Sequence, residues 1–274
     1  MRLLTVRTPD GTRAARQEGD GVVLLPHPDV GALLDSGPDW VDRANAAGQR
    51  RSLGDLDPAP VVPHPRKIIC LGMNYRSHIE EMGHEAPTHP TLFAKFARSL
   101  IGAGDPIVLP PESEKVDWEA ELAFVIGRAV RRADPEQAER AIAGYCVLND
   151  VSMRDWQFRT VQFLQGKTFE RSTPVGPALV TPDEVDGARD LTLTCEVDGE
   201  VMQKGRTSDL LFPPVELVRY ISTIVTLEPG DIVATGTPAG VGAARNPPVF
   251  LRPGQVVRTR IEGVGELVNE CVAG

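Results

Sequence analysis

The prediction of the fold starts from one short stretch, VDWEAELAFVIG at residues 116–127. Its second half is apolar and rich in β-branched residues and ends at Gly127, which is typical of a β-strand. Alternate side chains of a strand point to opposite faces, so Glu119 and Glu121 share a face with Cα atoms about 6.6 Å apart. The opposite face is apolar and can pack into a core: Trp118, Ala120, Leu122 and Phe124.

The two glutamates allow two interpretations. A Glu-x-Glu pair on a strand is most often part of a solvated sheet face. Here, however, the same face continues with Ala123 and Val125, and two like charges beside apolar surface are unfavourable unless something neutralises them. A divalent cation would do so, because both carboxylates can reach one ion.

Length and composition limit the class of protein. The chain has 274 residues, 41% hydrophobic and 24% charged, which is typical of a soluble globular protein with a sizeable core. A net charge of −9 without a lysine or arginine stripe argues against nucleic acid or an anionic membrane as a partner. The first apolar run is too short for a signal peptide, and no apolar run is long enough to span a bilayer, so we expect a cytoplasmic protein.

The cysteines are far apart in the sequence and form no Cys-x-x-Cys pair. Buried, reduced thiols are therefore favoured over a disulfide framework or a zinc site. The residues concerned are Cys70, Cys146, Cys195 and Cys271.

The chain divides into two predicted parts. Segments at 3–6, 13–17 and 22–25, separated by glycine-containing turns, indicate a small antiparallel meander, and a broken helix follows over 30–47. The stretch DPAPVVPHP at 57–65 is typical of an extended linker. We therefore predict a small domain with its linker at 1–63 and a larger domain at 64–274.

The larger domain is predicted to contain more strands than helices. The predicted strands are 67–72, 93–96, 107–109, 116–127, 145–150, 192–197, 201–203, 232–234, 256–261 and 265–272. The predicted helices are a short one ending at Gly83, then 135–143 and 214–224.

A histidine and a glutamate stand three residues apart on the first of these helices. His78 and Glu81 are then neighbours, and Glu81 can orient or charge the imidazole, as in a general-base dyad. The alternative interpretation is an incidental pair on a surface helix.

A third carboxylate, Asp150, ends the predicted strand 145–150. Together with Glu119 and Glu121 it forms a set of oxygen ligands that selects Mg²⁺, Mn²⁺ or Ca²⁺ over zinc and leaves positions for water and a chelating substrate. Arg154 and Lys167 would bring the charge of this cluster to a value that attracts an anion. Lys167 could equally form a surface salt bridge.

Two glycine-containing segments suggest phosphate or oxyanion binding. Gly166-Lys167-Thr168 is half of a phosphate-loop signature, but position 161, where the signature requires glycine, is Val161. The loop TGTPAGVG at 235–242 is either a plain turn or a nest of amides that binds an oxyanion with help from the Thr237 hydroxyl.

Five motifs follow one another in a fixed order along residues 67–272. They are Gly72-x-Asn74-Tyr75 with His78-x-x-Glu81, Asp117-x-Glu119-x-Glu121-Leu122, Asn149-Asp150-x-x-x-Arg154-Asp155-x-Gln157, Gly166-Lys167-x-Phe169 and Thr235-Gly236-Thr237-Pro238-x-Gly240-Val241-Gly242. In this order they resemble the fumarylacetoacetate hydrolase family, and the first 60 or so residues resemble the variable small domain of its bacterial members.

The resemblance implies an α+β fold, in which a mixed β-roll catalytic domain follows a small N-terminal β-rich domain, and commonly a homodimer. It implies that Mg²⁺ or Mn²⁺ is bound by Glu119, Glu121 and Asp150, and that His78 and Glu81 form an acid–base dyad on a lid. Lys167 is the remaining catalytic residue that it implies. The implied substrate-binding residues are Tyr75, Arg154, Gln157 and Thr237.

The predicted reaction is hydrolysis of a carbon–carbon bond in a small anionic keto acid, a 2,4-dioxo acid such as an acylpyruvate or a fumarylacetoacetate-like compound. His78, poised by Glu81, would activate water, and the metal and Lys167 would stabilise the pyruvate enolate that departs. The same site could decarboxylate oxaloacetate or isomerise a 2-hydroxy-diene dioate. A non-catalytic module that binds metal or keto acid, or a structural β-sandwich without metal, are further alternatives.

Overall fold

The computed structural model describes residues 1–52, 54 and 56–274. The strands in chain order are β1 (Arg2–Thr8), β2 (Gly11–Glu18), β3 (Gly21–Leu24), β4 (Gln49–Ser52), β5 (Asp57–Pro58), β6 (Ile68–Gly72), β7 (Thr91–Lys95), β8 (Leu100–Ile101), β9 (Ile107–Leu109), β10 (Val116–Asp117), β11 (Ala120–Ile126), β12 (Ile142–Asn149), β13 (Ser152–Met153), β14 (Thr173–Val180), β15 (Thr192–Val197), β16 (Glu200–Arg206), β17 (Ile232–Ala234), β18 (Val256–Ile261) and β19 (Gly265–Ala273). The α-helices are α1 (Val30–Leu34), α2 (Trp40–Ala44), α3 (Arg76–Glu81), α4 (Pro135–Ala141), α5 (Arg154–Gln157), α6 (Leu164–Lys167) and α7 (Pro214–Ile224).

Most of these strands join one large mixed sheet. Among the described residues it has twelve strands, in the order β4-β3-β2-β1-β14-β12-β11-β17-β6-β7, with β5 paired to β1 and β8 to β14. A five-stranded sheet has the order β16-β15-β18-β19-β9, and β10 pairs with β13. The strands β11 and β12 pack against β15 and β18 of the second sheet, so the larger core lies between the sheets.

The strand β11 is buried on both faces. Leu122 and Phe124 belong to the larger core, whereas Ala123 and Val125 belong to a second core with the N-terminal helix α1. The predicted strand is therefore confirmed, and its alternate side chains lie on opposite faces as predicted. This alternation also explains why Glu121, on the face of Ala123 and Val125, is withdrawn from water.

The predicted strand 116–127 is interrupted at Trp118 and Glu119. The amide of Glu119 donates to the side chain of Asn149 (3.0 Å), and the amide of Ala120 donates to the side chain of Gln203 (2.9 Å). Because these amides bond to side chains, the chain changes partner here, from β13 to β12. The prediction of one continuous strand was wrong at this point, and the break lies within the Glu-x-Glu motif.

The N-terminal part continues the large sheet. The predicted meander is confirmed as β1 to β3, and β1 pairs with β14 through Arg2 opposite Val180 and Leu3 opposite Leu179. The stretch predicted as a linker is packed, because β5 pairs with β1 and both Val61 and Val62 are buried. The division at residue 63 stays a prediction, since the two parts share strand pairing.

Three elements near the site were not predicted. Strand β14 contains Pro174, Gly176 and Pro177, which hide its apolar character in the sequence. The short helices α5 and α6 lie in segments predicted as loops, and α6 carries Lys167.

Helix α4 ends two residues before the predicted end, and Asp134 forms a capping box at its start.

All four cysteines are buried and unpaired, as the sequence predicts. Among the described residues, no helix has the length and apolar character needed to cross a membrane.

Candidate active site

Three carboxylates converge between β11 and β12. One oxygen from each of Glu119, Glu121 and Asp150 lies within 4.8 Å of the other two, and all three residues are buried. The strand register brings them together, because Ala120 pairs with Asn149, the residue before Asp150. Glu119 lies in the break before β11, which lets its carboxylate reach the same point.

Glu121 supplies the test of whether a cation fits this cluster. The Gly236 amide donates to its Oε2 (2.8 Å), while its Oε1 is buried without a hydrogen-bond partner. Burial, and then the neighbouring Asp150 and Glu119, raise the pKa of Glu121 well above its usual range. A hard divalent cation would give the orphaned oxygen a partner and offset the repulsion, so the three residues fit Mg²⁺ or Mn²⁺.

Two buried lysines face the carboxylates. Lys167 Nζ lies 2.6 Å from Glu119 Oε2 and 2.9 Å from Asp150 Oδ2, and Lys95 Nζ lies 2.5 Å from Asp150 Oδ1. Burial opposes ionisation of Glu119, but the charges of Lys167 and Arg154 outweigh it and lower the pKa of this carboxyl to about 2. Because the side chain of Lys167 is buried, the alternative of a surface salt bridge is excluded.

Lys95 was not among the predicted site residues. The one signal in the sequence is its place on β7, two residues after Phe93 and therefore on the same strand face. Its partner Asp150 is 55 positions away, and no local pattern connects them.

Arg154 is fixed by three side chains. Its Nε donates to Asp117 Oδ2 (2.8 Å), and its Nη1 lies 2.6 Å from Glu119 Oε1 and 2.8 Å from Gln157 Oε1. Its Nη2 is buried without a hydrogen-bond partner. Since a buried donor left unpaired is unfavourable, Nη2 is suited to bind a carboxylate of a ligand.

The predicted contact between His78 and Glu81 is present on α3. His78 Nδ1 lies 2.9 Å from Glu81 Oε2, and the Gly240 amide donates to Glu81 Oε1 (2.8 Å). An ionised carboxylate only accepts hydrogen bonds, so Nδ1 carries the proton and Nε2 is left to exchange one.

Residues that follow β16 hold the start of α3. Asp209 Oδ2 accepts from the Ser77 amide (3.0 Å) and the Ser77 hydroxyl (2.7 Å). Arg76 donates to the carbonyls of Asp209 and Leu210. Asp209 thus caps a helix whose own N-cap residue, Tyr75, makes no side-chain cap.

The glycine-rich loop at 235–242 binds carboxylates of the protein itself. The amides of Gly236, Gly240 and Gly242 donate to Glu121, Glu81 and Asp117 respectively. The Thr237 hydroxyl donates to the Ala120 carbonyl (2.9 Å), so its proton is already used. The loop is therefore a nest of amides that orients site residues.

A cavity of about 110 Å³ reaches the cluster at Glu119, the one of the three carboxylates that lines it. It is lined by six of the predicted site residues, His78, Glu119, Arg154, Gln157, Lys167 and Thr237, and also by His84, which was not predicted. Tyr75 is outside it: the side chain is fully buried in the larger core, and its hydroxyl has no partner. The proposed role of Tyr75 in substrate binding therefore has no support from its position.

Comparison with known proteins identifies the family. Residues 67–272 match the family model described as fumarylacetoacetate (FAA) hydrolase, C-terminal. The chain belongs to this family. The family assignment made from the five motifs is confirmed.

Proteins similar to this chain are named after several different activities. The chain is 46% identical over 216 residues, 78% of this chain and 68% of the relative, to the mitochondrial oxaloacetate tautomerase FAHD2A of Homo sapiens. It superimposes on fumarylacetoacetate hydrolase from Exiguobacterium antarcticum with a TM-score of 0.89, at 33% identity and over 100% of both chains. It superimposes on 5-carboxymethyl-2-hydroxymuconate delta-isomerase from Mycobacterium smegmatis with a TM-score of 0.82, at 36% identity, covering 100% of this chain and 99% of the other.

These likenesses confirm the predicted α+β fold of the fumarylacetoacetate hydrolase family. They also identify the chain as an enzyme of a superfamily whose members act on small keto acids.

Proposed function

We propose that this enzyme interconverts the keto and enol forms of a small 2-oxo dicarboxylic acid, with oxaloacetate as the substrate that fits best. The observation that carries the proposal is the imidazole of His78, held at Nδ1 by Glu81 and lining the same cavity as Glu119 and Arg154. The 46% identity to a protein named oxaloacetate tautomerase supports the same choice.

The reaction needs one proton to leave the enol oxygen and one to reach C3, so no atom is gained or lost. Nε2 of His78 takes and returns the proton, and Glu81 stabilises the imidazolium in between. Arg154, which lines the cavity, binds a carboxylate of the substrate. A divalent cation bound by Glu119, Glu121 and Asp150 would draw negative charge from the 2-oxo oxygen.

The size of the cavity favours a compact substrate. Its volume of about 110 Å³ lies well below the roughly 300–1,000 Å³ of pockets that hold drug-sized ligands. A four-carbon acid needs less room than a longer acylpyruvate with an attacking water beside it.

Hydrolysis of a 2,4-dioxo acid is the second candidate. It is supported by the same dyad, which could take a proton from water, and by the likeness to a fumarylacetoacetate hydrolase. The Mg²⁺- or Mn²⁺-dependent decarboxylation of oxaloacetate and the isomerisation of a hydroxy-diene dioate need the same groups.

One set of assays separates tautomerisation from decarboxylation and from hydrolysis. Purified protein with Mn²⁺ or Mg²⁺ is mixed with enol-oxaloacetate, and the loss of enol absorbance is followed together with pyruvate release. We expect the absorbance to fall faster than with metal alone and without matching pyruvate. Pyruvate release at the same rate would instead indicate decarboxylation, and release from acylpyruvates alone would indicate hydrolysis. If no acid reacts while Mn²⁺ still raises the melting temperature, the protein is a binding module and the proposal is wrong.

A further inference from the structure

We infer that Asp117 is a positioning residue: it fixes the guanidinium of Arg154, which lines the cavity, for contact with the substrate carboxylate, and it couples that arginine to the glycine-rich loop. This inference rests on the proposed function, because it assigns the means by which the same site selects an anionic 2-oxo acid. Asp117 does not line the cavity, so it acts through Arg154.

Asp117 uses both of its oxygens. Oδ1 accepts from the amides of Trp118 (2.8 Å) and Gly242 (2.7 Å). Oδ2 accepts from Arg154 Nε (2.8 Å) and from the Ala243 amide (3.0 Å). With four donors and no exposed surface, the carboxylate has one fixed orientation.

The bond to Nε decides where the rest of the guanidinium points. The group is planar, so fixing Nε and Nη1 leaves one direction for Nη2. Glu119 and Gln157 hold Nη1. Without the Asp117 contact, the guanidinium would be held at Nη1 alone and could rotate away from its present position at the cavity wall.

Asp117 also differs from Glu119 in what else it can bind. Glu119 belongs to the carboxylate cluster that fits a cation, so its negative charge is shared between Arg154 and that ion. All the contacts of Asp117 are to nitrogen donors of the protein. It is therefore the carboxylate that serves Arg154 whether or not a cation is bound.

The backbone around Gly242 is shaped for this contact. A Cβ at that position would lie 2.7 Å from Asp117 Oδ1 and 2.0 Å from the Val249 carbonyl oxygen. The loop therefore approaches Asp117 more closely than any other residue at 242 would allow. Because the loop supplies Val241 and Ala243 to the cavity wall, Asp117 ties that wall to the arginine.

The test uses three variants, Asp117→Asn, Arg154→Lys and the pair of substitutions together. Asparagine keeps the shape of Asp117 but cannot accept at both ends, so we expect KM for oxaloacetate to rise by about tenfold with kcat changed much less, as when a charge-assisted contact to substrate is lost. Arg154→Lys removes the planar group, so adding Asp117→Asn to it should raise KM little further. The affinity for Mn²⁺, measured by calorimetry, should change by less than about threefold, which is well below the tenfold change expected in KM.

A structural role would give a different pattern. The control Asn269→Ala removes a buried amide that donates to the carbonyls of Gly102 and Asp105, outside the cavity, and should lower the melting temperature with KM unchanged. If Asp117→Asn lowers kcat and Mn²⁺ affinity together with the melting temperature, or if its effect on KM is the same in the Arg154→Lys background, Asp117 is a structural residue and the inference is wrong.

Failure of the proposed function would be distinguishable. If the unsubstituted protein does not convert oxaloacetate, KM cannot be measured. The dissociation constant of pyruvate is then measured instead, by calorimetry with Mn²⁺ present, for the unsubstituted protein and the same three variants. The same loss of affinity and the same dependence on Arg154 are expected. Equal pyruvate affinity in the unsubstituted protein and Asp117→Asn, or no pyruvate binding at all, would overturn the inference.

Discussion

His78 is the residue on which the proposed proton transfer depends. We expect His78→Asn to lower kcat by about 10²- to 10⁴-fold, the range for loss of a general acid–base group. Mn²⁺ should still raise the melting temperature, because the carboxylate cluster is untouched. The matched control is His64→Asn, in an exposed loop, which should leave kcat unchanged. Substantial turnover by His78→Asn would mean that another group transfers the proton.

Glu121 is the residue that most directly reports the cation. In the presence of a chelator, Glu121→Gln should keep or raise the melting temperature, because it relieves repulsion between neighbouring carboxylates. At a Mn²⁺ concentration of 100 times the dissociation constant, the unsubstituted protein gains about 2.7 kcal/mol. Glu121→Gln should lose most of this gain in a thermal melt. An equal gain in the two proteins would show that the cation is bound elsewhere.

The sequence predicted that three carboxylates come together, but it did not predict the other side-chain contacts around them. Glu119, Glu121 and Asp150 followed from strand alternation and from the position of a carboxylate at a strand end, both of which are local properties. The contacts of Lys95 with Asp150 and of Asp117 with Arg154 join positions 55 and 37 residues apart. Such pairs depend on the register between strands, which a single sequence does not specify.

At the scale of elements, α3 is a short helix whose position depends on contacts with other segments. Six residues are too few for a stable isolated helix. Asp209→Ala removes the acceptor for the Ser77 amide and hydroxyl, so we expect a loss of about 0.5–2 kcal/mol, as for other helix caps. Amide exchange in α3 should accelerate and kcat should fall. Glu136→Ala, which removes an exposed contact with Arg140 on α4, is the control and should affect neither.

A result in which Asp209→Ala slows turnover without faster exchange in α3 would contradict this account. The helix was predicted from its sequence, and so were the strands 192–197 and 201–203, which pair as β15 and β16, because these elements have local signals. The break at Glu119 and the strand β14 were not predicted. In both, the backbone is set by partners from distant parts of the chain, Asn149 and Gln203 for the break and β1 and β12 for the strand.

At the scale of the whole molecule, the N-terminal part and the catalytic part share a core. Leu33 of α1 is fully buried in the cluster that contains Ala123 and Val125 of β11. We expect Leu33→Ala to lower the free energy of unfolding by about 2–5 kcal/mol and the protein to unfold in one transition. Val41→Ala, on α2 and 44% exposed, should have little effect. Denaturant titration followed by fluorescence and circular dichroism measures both.

Two separate transitions, with only one shifted by Leu33→Ala, would instead support the division into domains at residue 63. Residues 57–65 were predicted to be an extended linker because of their composition, but they are packed against the rest of the protein. Prolines prevent helix formation there, but Val61 and Val62 still bury their side chains in the second core.

The placement of His78 and Glu81 on α3 has a practical consequence. The proposed dyad is held to the rest of the protein by the hydrogen bonds of three side chains: Glu81 to the Gly240 amide, Ser77 to Asp209, and Arg76 to the carbonyls of Asp209 and Leu210. Detachment of this one segment would abolish turnover while the sheets stay intact. During purification and storage, specific activity can therefore decline before light scattering or circular dichroism registers any damage, and a weakly active batch can still consist of folded protein.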